Sequence, residues 1–166
     1  MSEEAPAHGA AGMMRPAGRG WGGPFDVHVN LRTIGVPAAS FLRQAVRLEA
    51  AGHAGVAAWD RFVSRGVRSD PVLESWATPA LAVGATDRLR LVTFVLDVMN
   101  RHPTVVARMA ATLQEASGGR LVLGIGIGGH RAEHLAYGIP FPAAGERGAR
   151  LEEAVAVLRA LWTGGP

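Results

Sequence analysis

Four short, largely apolar runs recur along this chain at intervals of roughly thirty residues, each followed by a segment with helical spacing. That beat restricts the fold more than any other feature. Phe25-Asp-Val-His-Val-Asn-Leu31 alternates apolar and polar residues, as a half-buried strand does. Gly55-Val-Ala-Ala-Trp59, Arg88–Leu96 and Leu121–Ile125 are more continuous runs, the pattern of parallel strands covered on both faces. Between them, Pro37 and Ser40 open a helix carrying Phe41, Leu42, Ala45, Val46 and Leu48, and Gly52 closes it. Pro71 sets up a second helix with Leu73, Trp76, Ala77, Ala80 and Leu81 on one side. Pro103 suits the first turn of a third, where its missing N–H costs nothing, and Val105, Val106, Met109, Leu113 and Ala116 give that helix a core face. The last helix spans Gly145 to Thr163 with Leu151, Ala154, Val155, Leu158 and Trp162 inward, and Gly164-Gly165-Pro166 stops it.

Strand and helix in strict alternation imply right-handed βαβ units around a parallel α/β sheet. Two architectures share the beat: an open doubly wound sheet, and a (β/α)8 barrel of the TIM type, which needs about 250 residues. Four units make half a barrel. The Gly-Gly-Pro ending is a natural connector into another strand, which favours a barrel of which only the first four units are present. Residues 1–23 are rich in Ala, Gly, Pro and Met without periodicity and read as a disordered tail, leaving 24–166 as the folded unit.

Composition narrows the class. The chain has no cysteine, so disulfides, thiolate metal sites and cysteine nucleophiles are excluded. Neither an export signal nor a run of about 18 apolar residues occurs, so a cytoplasmic protein without membrane partners is expected. A pI near 10.9 suggests nucleic acid, yet the formal charge is only +3. All 17 basic residues are arginine and are interleaved with Asp and Glu, so no basic face forms and no nucleic-acid partner is expected.

The chemistry-bearing residues gather around Ser117–Glu133. Gly124-Ile-Gly-Ile-Gly128-Gly129 matches the G-x-G-x-x-G dinucleotide fingerprint in letters and comes after a strand. The downstream segment defeats the match, because Gly138, Pro140 and Pro142 leave no long helix to hold a pyrophosphate. In parallel α/β folds ligands sit at the carboxyl ends of strands. That rule selects His28 and Asn30, Asp60 and Arg61, Thr93, Phe94 and Asp97, and Gly126, Gly128, Gly129 and His130. Asp97 and His102 read as loop surface, and Thr93 and Phe94 are equally compatible with barrel core. His130 and His134 lie four apart with Glu133 between them, but lack the His-Glu-x-x-His order and a stable helix, so no metal is expected. Glu146 suits the positive end of the last helix, and Arg147 reads either as a surface ion pair with Glu152 or Glu153 or as a cation within reach of a cofactor phosphate.

Several blocks in fixed order resemble the luciferase-like flavin-dependent oxidoreductases, which include F420-dependent reductases. These are Leu89-Arg-Leu-Val-Thr93, Arg101-His-Pro-Thr-Val-Val-Ala-Arg108, Ser117-Gly-Gly-Arg120, Leu123-Gly-Ile-Gly126, Glu133, Tyr137-Gly-Ile139, Gly145-Glu-Arg147, Leu151-Glu-Glu-Ala154 and Leu161–Pro166. The resemblance implies the first half of a (β/α)8 barrel, FMN or coenzyme F420 across its carboxyl mouth, and oxidoreductase or monooxygenase chemistry on a small organic substrate. It implies a non-proline cis bond at Phe94–Val95 and backbone contact with the cofactor at Gly126 and Gly128; Asp60, Thr93, Phe94 and Gly129, selected by the strand-end rule, complete the expected cofactor contacts. Asn30 and Arg61 are assigned to substrate, with His28 and His130 as acid–base candidates. One departure stands out: many members carry Asp-His after strand two, where this chain has Asp60-Arg61, a cation suited to an anionic ring or ligand. Exposed strand edges of a half-barrel further imply a homo-oligomer. The rival readings are a non-catalytic flavin-binding paralogue, an inert fragment, and a small nucleotide-binding module.

Overall fold

The structure is a computed structural model that describes residues 25–64 and 70–164. The proposed tail, Arg65, Arg68 and the closing Gly165-Pro166 lie outside the described residues. Nine elements run in order: β1 His28–Asn30, α1 Ala38–Ala50, β2 Gly55–Ala58, α2 Ala77–Val83, β3 Arg90–Asp97, α3 Pro103–Ala116, β4 Leu121–Gly126, α4 Arg131–Ala136 and α5 Ala144–Thr163. Every predicted strand and helix is present. The second helix starts six residues later than Pro71, and just before it Glu74 Oε2 accepts from the N–H groups of Trp76 (2.8 Å) and Ala77 (2.5 Å).

The strands are parallel and their spatial order is β1-β2-β3-β4, identical to chain order. A doubly wound sheet reverses direction at a switch point, whereas a barrel adds each new strand on the same side. The sheet therefore has the barrel pattern. β2 is buried along its whole length, as its all-apolar Gly-Val-Ala-Ala sequence requires. The core gathers Phe41, Val56, Leu89, Leu91 and Leu96, each at most 1% exposed, with Val106, Ala110, Leu113 and Leu158 from the outer helices. Trp162 Nε1 donates to Ala107 O at 3.2 Å and ties α5 to α3.

One irregularity positions the site. The β3–β4 register runs Thr93 with Leu123, then Leu96 with Ile125, so Phe94 and Val95 together oppose only Gly124. The Phe94–Val95 peptide is cis, as the resemblance implied. Thr93 Oγ1 bridges the gap, donating to Gly124 O and accepting from Gly124 N, both at 2.8 Å. Such a bulge re-aims side chains: Phe94 is left 57% and Val95 44% exposed, beside the buried Thr93 and Leu96.

Candidate functional site

At the carboxyl ends of the strands lies an open cleft of roughly 520 Å³, within the range of about 300–1,000 Å³ usual for small-molecule sites. Its lining comes from three strand ends. β2 leads into Trp59, Asp60 and Arg61, the bulge supplies Phe94 to Asp97, and β4 continues into Gly126 to His130. Trp59 is 47% exposed, so with Phe94 and Val95 it forms a broad apolar ledge.

The polar side is organised by two buried carboxylates. Asp60, its side chain 1% exposed, accepts from Ser75 Oγ (2.6 Å), Asp97 N (2.9 Å), Asn100 Nδ2 (3.2 Å) and Arg101 Nη1 (2.8 Å) and Nη2 (3.2 Å). Burial alone would raise its pKa; the Arg101 guanidinium, the Ser75 hydroxyl and the Asp97 N–H together outweigh that and hold it below the usual value. Glu133, 4% exposed on α4, accepts from Arg61 Nε at 2.7 Å and from Phe62 N. Arg61 also meets His130 Nε2 at 2.8 Å. An arginine only donates, so His130 accepts through Nε2. The Tyr137 ring packs on Phe62 at 5.2 Å, and its hydroxyl donates to Phe62 O.

The structure brings Asp60, Arg61, Phe94, Gly126, Gly128, Gly129 and His130 together around one cleft. Asn30 ends β1 outside its lining; oriented to satisfy both neighbours, its amide donates to Ala57 O and accepts from Trp59 Nε1. Thr93 lies beneath the ledge, 2% exposed and spent on Gly124. His28 stands at the other end of the sheet. It pairs in register with Gly55, which pairs with Arg90, at the amino ends of their strands. Burial and the Arg90 charge lower its pKa there. The carboxyl-end rule therefore does not apply to His28, because β1 starts at that residue.

Three glycines prove to be shaped by the chain itself. A Cβ on Gly124 would lie 3.0 Å from Val95 Cγ1 and closer still to Thr93 O; one on Gly126 would lie 2.9 Å from Val95 Cγ2. Gly128 has φ +78°, and a Cβ there would fall 2.6 Å from Asp97 Oδ1. Only Gly129 among these four glycines faces open space.

From the sequence, Asp97 is a strand-end residue read as loop surface, His102 is loop surface, and Arg147 is a surface ion pair or a cation for a cofactor phosphate. Asp97 is instead the last residue of β3 and lines the cleft, its side chain 10% exposed against His134. His102 is the N-cap of α3, its Nδ1 accepting from Thr104 N at 3.3 Å. Arg147 donates to Ile127 O (3.1 Å) and Pro142 O (2.6 Å) and lies over the Phe141 ring at 3.9 Å, bracing the loop after β4. A signal for Asp97 existed: like Asp60, it is an acid closing a buried strand. Arg101, the main partner of Asp60, carried no such signal. Among the described residues no group of three or more His, Cys, Asp or Glu is placed to hold a metal.

Comparison with known proteins supplies the remaining constraint. The profile of the luciferase-like monooxygenases matches residues 19–166. The chain belongs to the luciferase-like monooxygenase family. A phthiodiolone/phenolphthiodiolone dimycocerosates ketoreductase of Mycobacterium tuberculosis (strain ATCC 25618 / H37Rv) is 45% identical to it over 82 residues, 49% of this chain and 20% of the relative. An F420-dependent glucose-6-phosphate dehydrogenase of Beutenbergia cavernae is 42% identical over 84 residues, 50% of this chain and 25% of the relative. Among solved structures, an F420-dependent secondary alcohol dehydrogenase in complex with an F420-acetone adduct superposes with a TM-score of 0.74 at 27% identity, over 81% of this chain and 41% of the other. The matches thus span a fifth to two fifths of the relatives' own lengths. No described helix of this luciferase-like chain is long and apolar enough to cross a membrane.

Proposed function

We propose that this luciferase-like chain contributes the first half of an F420-dependent oxidoreductase acting on a small carbinol or carbonyl compound. The observation that carries the reading is the ledge of Trp59, Phe94 and Val95, left 44–57% exposed inside a polar-walled cleft at the strand ends. Apolar side chains exposed together in a polar-rimmed cleft mark a binding surface, unlike apolar residues scattered singly. A flat conjugated ring with polar edges matches that surface, so the residues fit a deazaflavin. The two relatives and the solved structure support the choice, because two of them are F420-dependent and all three are ketoreductases or dehydrogenases.

When bound, the deazaflavin supplies hydride chemistry. The chain's own part is to bind and orient. Trp59, Phe94 and Val95 would hold the ring face and exclude water from it, with Gly126, Gly128 and Gly129 offering backbone beside it. Arg61, braced by Glu133 and His130, places positive charge at the cleft wall, where it favours an anionic ring or substrate. Asp60 holds the strand ends in register from beneath.

Titration of the protein with F420 and separately with FMN, monitored by absorbance and fluorescence, tests the reading. Saturable F420 binding and bleaching of the oxidised cofactor with 2-propanol are expected. Saturable FMN binding without F420 binding overturns it in favour of a flavin monooxygenase, and binding of neither overturns it in favour of a non-catalytic chain.

A further inference from the structure

We propose that Asp97 and His134 hold a single proton between them at the floor of the cleft and exchange it with the oxygen of the bound substrate. His134 Nδ1 lies 2.9 Å from the carbonyl oxygen of His130. A carbonyl only accepts, so Nδ1 must carry a hydrogen. In the neutral ring Nε2 is then bare. It is fully buried and has no hydrogen-bond partner in that state, yet Asp97 Oδ2 stands 2.9 Å away. Two lone pairs facing each other at that distance repel, in a site only 3% and 10% exposed on its two sides, so the pair without a proton is the less stable state. One added proton resolves the clash, shared between imidazole and carboxyl.

The surroundings keep the pair in place. Met99 N donates to Asp97 Oδ1 at 2.9 Å, which leaves Oδ2 to His134 and to the cleft. The Phe141 ring covers the imidazole at 4.7 Å, and Arg147 covers Phe141 in turn. Gly128 carries no side chain where a Cβ would collide with the carboxylate. The charged groups near the pair come from two directions: Asp60 from the end of β2 with Arg101 upon it, and Arg61 and His130, which line the same cleft, with Glu133 behind Arg61. Burial, and to a smaller extent the Asp60 carboxylate, raise the pKa of Asp97, while the Met99 N–H and His134 oppose them.

The role rests on the function proposed above. In carbonyl reduction the carbon takes hydride from the reduced deazaflavin, which is thereby oxidised, and the oxygen gains a proton as its π bond breaks. The pair supplies that proton through Asp97 Oδ2, ending as carboxylate and neutral Nδ1–H imidazole, and solvent restores it. Alcohol oxidation runs the same transfers in reverse. Asp97 touches the reacting oxygen; His134 is a positioning residue acting through it.

Two measurements test the pair. In the protein without cofactor, 15N NMR of the histidine rings is expected to show His134 Nδ1 protonated throughout, with Nε2 losing its proton in one step. That step is expected to fall by at least about one pH unit in Asp97→Asn, whose amide can donate to bare Nε2. A bare Nδ1, or an unmoved step in a folded variant, overturns the proposal. With F420 and acetone or 2-propanol, Asp97→Asn is expected to lower kcat by about 100-fold or more with F420 affinity within about threefold. Asp97→Glu and His134→Gln, which retain a carboxyl at the cleft, are expected to shift the pH limb of kcat instead. An unchanged pH profile in all three overturns the proposal. Failure of F420 to bind would reject the function proposed above, and the NMR step alone would then decide whether the shared proton exists.

Discussion

Replacing Asp60 by Asn separates two roles for that residue, cofactor contact and structural hub. The Asp60 carboxylate receives five donor contacts from four residues, and only 1% of its side chain is exposed. Asparagine preserves the shape but removes the charge facing Arg101 and turns one acceptor into a donor beside other donors. Breaking a buried pair from one side costs about 3–5 kcal/mol. Arg101 retains Glu74 and is itself 14% exposed, which moves the expectation to the lower end, about 3 kcal/mol. With a urea slope of about 1.5 kcal/mol/M, the midpoint should fall by about 2 M. Urea unfolding monitored by circular dichroism measures it in the absence of any cofactor, and an Arg101→Gln variant with the double mutant gives the coupling. A midpoint shift below about 0.5 M, accompanied by loss of F420 affinity, would refute the hub and restore a direct contact.

Other substitutions and conditions probe the same site. Gly128→Ala is expected to cost about 2–4 kcal/mol of stability in urea unfolding, from a positive φ and the collision with Asp97, whereas Gly129→Ala should cost under about 1 kcal/mol and report instead on ligand affinity. Arg61→Gln leaves Glu133 buried with only the Phe62 N–H, so a stability loss of about 2–4 kcal/mol is expected from the same unfolding measurement. The pH dependence of stability carries two opposite signs. Asp60 lies below its ordinary 3.8, so its contribution is complete above that pH and drains as pH falls through the folded value. Asp97 is raised above 3.8, so its contribution is complete below that pH and is lost as pH rises through the folded value. Thermal melts from about pH 6 to about pH 3 should therefore show an acid loss that Asp60→Asn reduces and Asp97→Asn does not, the remainder including Glu49, whose pKa the N–H groups of residues 87–89 also lower.

Much of the architecture was legible in residue order alone. Strand and helix existence comes from apolar periodicity and from Pro and Gly punctuation, which are local. The beat excluded all-β and helical-bundle folds, and Gly138 with Pro140 removed the dinucleotide reading, since α4 runs only from Arg131 to Ala136. The family emerged from the order of many short blocks, because each block marks a position the barrel uses.

What the chain order does not contain is distance between strand ends. Whether four parallel strands form an open sheet or part of a barrel depends on their lateral order, which helical connections of the same length can satisfy either way. The partners of Asp60 lie 15 to 41 positions away, and those of Arg61 69 to 72 away. No local spacing pairs Asp97 with His134 or makes Gly128 a glycine for the sake of a carboxylate. The sequence by itself determined the four strands, the four longer helices and the lineage they belong to, though not the short α4. Only the tertiary structure decided that the glycines clear room for the chain's own bulge and carboxylate, because burial and close approach are created when separate strands pack.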